Sequence, residues 1–131
     1  MIEYIQQENE IYAIILRSSY QEEGIKFLTP DNFSQQLGYM KRPKGYVIQP
    51  HIHNEIKRSV TLTQEVLFVK TGKVKVNFYD NDKVFKESII LEKGDFILLA
   101  AGGHGFEMLE QSELIEVKQG PYSGDGDKTR F

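Results

Sequence analysis

A chain of 131 residues with 40% hydrophobic and 27% charged residues has the balance of a globular protein, long enough to bury one core. A net charge of −3 gives no basic footprint for nucleic acid, and the absence of cysteine rules out disulfides, thiolate ligands and a cysteine nucleophile. The acidic start MIEYIQQENE lacks the basic region of a secretory signal, and the apolar run 11–16 is far too short to span a bilayer, so a cytoplasmic protein without membrane association is expected.

In chain order, the first ten residues and DNFSQQLGY (31–39) are the best candidates for helix, both short. Strand-like runs follow one another elsewhere: IYAIILRS (11–18), GIKFL (24–28), GYVIQPHIH (45–53), EVLFVKTGKVKVNFYD (65–80), ESIILEKGDFILLA (87–100) and SELIEVKQG (112–120). Turn signals separate them at Pro30-Asp31-Asn32, Pro43-Lys44-Gly45, Thr71-Gly72, Asp80-Asn81-Asp82 and Lys93-Gly94-Asp95. The alternation is clearest where Val74, Val76 and Phe78 share one face of a half-buried strand. Short strands, regular turns and little helix predict an all-β domain of antiparallel strands: a sandwich, jelly roll or small barrel. One domain is expected over 1–131, with a core of about 11–119 and a compositionally distinct tail at 120–131. The tail reads as a mobile terminus, with Pro121, Tyr122 and Phe131 leaving room for packing against the domain or a partner subunit as the alternative, while SGDGD lacks the twelve-residue frame of a calcium loop.

The chain has only three histidines. On a strand, His51 and His53 would project to the same side, roughly 6 to 7 Å apart, which suits a half-site for a divalent ion if other strands add ligands. The alternative is a pair of surface imidazoles. If that strand continued, Glu55 would share their face; Glu65 competes with it, directly preceding VLFV and the Thr71-Gly72 turn. His104 lies in the glycine-rich AAGGHGFEM. Arg58 is suited to grip a carboxylate or phosphate bidentately, against a surface position as the alternative. MKRPKG, with Lys41, Arg42 and Lys44, reads as a solvated turn, and Tyr39, Tyr46 and Tyr79 as packing residues with a polar end. No nucleophile elbow, P-loop or dinucleotide fingerprint is present.

The register of Gly45, His51, His53, Glu65 and Gly72 resembles the first motif of the cupin superfamily, G-x5-H-x-H-x3,4-E-x6-G, with eleven residues between His53 and Glu65. GDFILLAAGGHGFEM is similar to the second, G-x5-P-x-G-x2-H-x3-N: Gly94 and Gly102 match, Ala100 replaces the proline, His104 comes one position early and Met108 replaces the asparagine. The resemblance implies a cupin jelly roll holding a divalent transition metal (Fe, Mn, Ni, Zn or Co) through His51, His53, Glu65 and His104. It implies as well a homodimer that pairs through the N-terminal strand or the C-terminal tail. LLAAGGHGFEMLE and IEVKQGPYSGDGDKTRF look like a group of short cupins encoded near surface-polysaccharide and sugar-nucleotide biosynthesis genes, which points to a small sugar or sugar-nucleotide ligand.

The chemistry so implied is isomerisation or epimerisation with the metal as Lewis acid, Glu55, Glu65 if it is not a ligand, or Glu107 shuttling the proton and Arg58 binding an anionic group. An Fe(II)-dependent dioxygenase, a metal-independent nucleotide-sugar epimerase with a histidine base, and a non-catalytic metabolite binder remain as alternatives. Whether the chain is an enzyme stays open at this level.

Overall fold

The computed structural model describes residues 1–131 and consists almost wholly of antiparallel strands. In chain order these are β1 (Ile2–Gln7), β2 (Glu10–Leu16), β3 (Gly24–Phe27), β4 (Gly38–Lys41), β5 (Glu65–Thr71), β6 (Lys73–Tyr79), β7 (Phe85–Glu92), β8 (Phe96–Leu99), β9 (Gly103–Met108) and β10 (Glu113–Lys118). The only helix is a 3-10 turn at Gly124–Asp127. No helix is long and apolar enough to cross a membrane.

A five-stranded sheet, ordered β1-β2-β8-β5-β10, faces a three-stranded sheet, ordered β7-β6-β9; β3 and β4 form a separate hairpin. Alternation along the strands causes the facing. Val74, Val76 and Phe78 of β6 and Leu91 of β7 meet Ala13, Ile15, Leu67, Val69, Ile97 and Leu99 of the larger sheet in one buried cluster. Full burial of each larger aliphatic or aromatic side chain contributes about 1.5–3 kcal/mol, so this cluster holds the two sheets together.

The larger sheet is apolar on its outer face too. Its cross-strand rows run Tyr4–Ile14–Leu98–Val66–Val117 and Ile2–Leu16–Phe96–Phe68–Ile115. Leu28, Phe33, Leu37 and Tyr39 pack over the β1–β2 end of this face, whereas Ile115 and Val117 at the β10 end are exposed.

The anticipated turns form for identifiable reasons. Gly72 sits at φ +93°, and a Cβ there would lie 2.1 Å from Ser112 Oγ and 2.5 Å from the Gln111 carbonyl oxygen, so only glycine lets β5 turn tightly into β6. Between β7 and β8, the buried Asp95 accepts hydrogen bonds from the Glu92 and Ser18 backbone N–H groups, each at 2.9 Å, and from Arg17 Nη1 at 2.8 Å. Arg17 also pairs with Glu3 at 2.5 Å. One carboxylate thus ties the β7–β8 turn to the ends of β1 and β2.

Three expectations are corrected. The first ten residues form β1 and the start of β2, not helix; so short a helix is marginal alone, while the β2 edge offers a full ladder of hydrogen bonds. In 31–39 there are turns and then β4, again with no helix. The run 45–53, expected as a strand carrying His51 and His53, has no strand at all. Side-chain pattern makes a strand only where a neighbouring edge accepts its backbone groups, and this run meets no edge of its own chain. Every residue from 41 to 62 is exposed.

Candidate functional site

The inner faces of the sheets are apolar through the middle and turn polar at one end. On β5, Glu65, Leu67 and Val69 follow one another on the core side; on β9, His104 lies across from Phe78, two positions before Phe106, which packs on the core. Period-two alternation therefore aims both Glu65 and His104 inward, from opposite sheets. Their side chains meet, with His104 Nε2 2.9 Å from Glu65 Oε1. On β10, Leu114, Glu116 and Lys118 share the inner face, and Lys118 is paired across from Glu65.

The electrostatics of this end follow from these contacts. The hydrogen bond from His104 pulls the Glu65 carboxyl down to about 2, against the opposing effect of burial and with help from Glu116 and the positive charge of Lys118. The same contact acts oppositely on Glu116: its hydrogen bond to Glu65, burial and the Glu65 charge raise its carboxyl above the ordinary value. Glu65 is thus the ionised member of the carboxyl pair, and Glu116 the one that keeps its proton more readily.

Glu65 and His104 line a cavity of about 740 Å³, within the roughly 300–1,000 Å³ typical of small-molecule sites. Only three of its nineteen lining residues are hydrophobic. Thr61, Leu62 and Thr63 form one wall and the tail forms another: Asp127 accepts a hydrogen bond from Thr63 Oγ1 at 2.6 Å, and the Phe131 ring packs edge-on against Tyr79 with centroids 5.1 Å apart. Lys83, Lys128 and Arg130 also line the cavity. None of these three has an ion-pair partner, whereas the lining acids Asp80 and Asp127 are paired with Lys86 and Lys118.

Of the residues singled out by sequence, Glu65 and His104 come together; the others do not join them. His51 and His53 are exposed on the strandless segment, their rings 5.3 Å apart, with His51 Nδ1 2.8 Å from the Gln49 carbonyl oxygen. Glu55 and Arg58 are exposed on the same segment, and Glu107 is exposed on β9, facing away from His104. Of the two competing carboxylates, Glu65 is therefore the one that meets a histidine. Within one chain no group of three or more His, Asp or Glu side chains is placed to hold a metal ion, so the four-ligand set implied by the motifs is only half assembled.

Sequence reasoning missed Glu116, Lys118 and the cationic tail. The signal for the first two was present in ELIEVK, where Leu114, Glu116 and Lys118 share a face. For Lys128 and Arg130 there was none, since only folding of the tail over the cavity brings them there. Comparison of the chain with protein-family models, curated proteins and solved structures finds no match.

Proposed function

We propose that the chain is a small cupin-type jelly roll that binds a phosphate-bearing sugar, such as a sugar nucleotide, and catalyses proton transfer in its isomerisation or epimerisation. The observation that carries this reading is the His104–Glu65 pair, 2.9 Å apart inside a polar cavity of about 740 Å³. The jelly roll is supported by the facing of five- and three-stranded antiparallel sheets with non-sequential neighbours such as β2-β8-β5. Lys83, Lys128 and Arg130, cationic and without ion-pair partners, suit a phosphate, and the polar walls suit hydroxyl groups.

The chemistry follows from the pair. With Nε2–H donating to the Glu65 carboxylate, the lone pair of His104 lies on Nδ1, which can take a proton from a carbon next to a carbonyl; Glu65 then stabilises the imidazolium. Glu116, beside Glu65, retains its proton more readily than Glu65 does. The metal-dependent form of this chemistry uses the same two side chains as ligands and requires His51 and His53 to join them.

The test is exchange in D₂O with a panel of keto-sugar nucleotides, followed by NMR. Deuterium should enter next to the carbonyl of one of them, and exchange should fall at least about 100-fold, the usual scale of acid–base catalysis, in Glu65→Gln and His104→Gln. Exchange at the original rate in His104→Gln would sink the acid–base assignment. Elemental analysis of the native protein separates the two forms: a stoichiometric ion that chelation removes together with exchange identifies the metal-dependent one.

A further inference from the structure

The tail walls the cavity on slight support. Beyond β10, residues 119–131 form no backbone–backbone hydrogen bond with either sheet, and no residue from Pro121 to Phe131 is fully buried. Two residues fasten the stretch. Asp127 accepts the hydrogen bond of Thr63 at 2.6 Å and lies 3.7 Å from Lys118 Nζ. The Phe131 ring rests edge-on against Tyr79, centroids 5.1 Å apart, while remaining 64% exposed. It fits there because Gly103 has no side chain: a Cβ at that position would lie 2.9 Å from Phe131 Cζ. Few buried contacts and no ladder of hydrogen bonds are the marks of a segment that opens at small cost.

Charge makes the position of this segment depend on what fills the cavity. Lys83, on the turn between β6 and β7, belongs to the body, whereas Lys128 and Arg130 belong to the tail; all three line the cavity without an ion-pair partner. With nothing anionic between them, docking the tail brings like charges together, which opposes closure. An anion held between the two sides reverses the sign, and a phosphate offers oxygens enough to meet a guanidinium and two ammonium groups.

We propose that residues 121–131 are a clasp over the cavity, latched by Asp127 and Phe131, and that a phosphate-bearing ligand closes it by bridging Lys128 and Arg130 to Lys83. The clasp makes the phosphate a requirement for a closed site. A sugar without one leaves the tail loose and His104, next to Gly103 on β9, open to water. This rests on the reading of the cavity as a phosphate-binding site and deepens it; it does not depend on the proton-transfer chemistry.

Pyrophosphate is the probe, followed by calorimetry and by nitrogen-15 relaxation of the tail amides. Backbone order parameters over residues 122–131 should lie below about 0.6 in the free protein and approach about 0.85 at saturation. The decisive variants are Asp127→Ala and Phe131→Ala, neither of which removes a positive charge. Electrostatics alone makes Asp127→Ala bind pyrophosphate more tightly, since a lining carboxylate is lost and Lys118 is freed. Loss of the latch instead lowers the closed population and raises the dissociation constant in inverse proportion, by about fivefold or more in each variant. Order parameters already near 0.85 without ligand, or unchanged at saturation, would overturn the clasp, as would pyrophosphate binding in either variant as tight as in the native protein or tighter. No binding to the native protein would remove the phosphate assignment and the clasp together, an outcome distinct from binding that leaves the tail unchanged.

Discussion

Replacing His104 by leucine tests the electrostatics of the pair directly. Glu65 titrates at about 2 instead of 4.5, with the hydrogen bond from His104 as the largest cause. Were the whole gap realised as stability, it would amount to about 3 kcal/mol, at about 1.36 kcal/mol per pH unit. Two features reduce the share lost with His104: Glu116 and Lys118 also hold the carboxyl down, and the Glu65 and His104 side chains keep 16% and 30% exposure, so water screens the pair. A loss of about 1–2 kcal/mol at neutral pH is expected for His104→Leu. The sign is that of a depressed carboxyl: the stabilisation is complete above the unfolded value near 4.5 and drains away as pH falls towards 2. Urea denaturation at pH 7 and at pH 2.5 measures it, since the native protein should lose more stability across that interval than the variant does. Carbon-13 NMR of the Glu65 carboxyl should show its titration rise by at least about one unit. A carboxyl still titrating near 2 in the variant, with an unchanged stability difference, would refute the assignment of the shift to His104.

Asp95→Ala removes a buried acceptor shared by Ser18, Glu92 and Arg17; by urea denaturation it should cost about 3 kcal/mol, and a loss under about 1 kcal/mol would contradict the role given to this carboxylate. Gly72→Ala forces a Cβ against Ser112 Oγ and the Gln111 carbonyl at positive φ, so a loss of at least about 2 kcal/mol is expected. A melting temperature equal to that of the native protein would show that the β5–β6 turn is looser than the structure indicates.

The sequence alone determined the elements whose reasons are local. Alternation in KVKVNFY and the strand-like runs IYAIILRS and SELIEVK marked β6, β2 and β10, and Thr71-Gly72, Asp80-Asn81-Asp82 and Lys93-Gly94-Asp95 marked the turns, because side-chain direction and turn conformation depend on neighbours within a few residues. The strand β9 was not legible: Gly102, Gly103 and Gly105 interrupt its apolar pattern, and it forms because the β6 edge is there to pair with it. β1 was misjudged for the same reason. Only the tertiary structure decided that Glu65, and not Glu55, meets His104, and that the tail walls the cavity with Lys128 and Arg130. It also decided that His51 and His53 stand on an exposed arm and not on a strand of their own chain. A strand needs a second edge and a site needs side chains from separate segments; neither partner is written next to the residue that requires it.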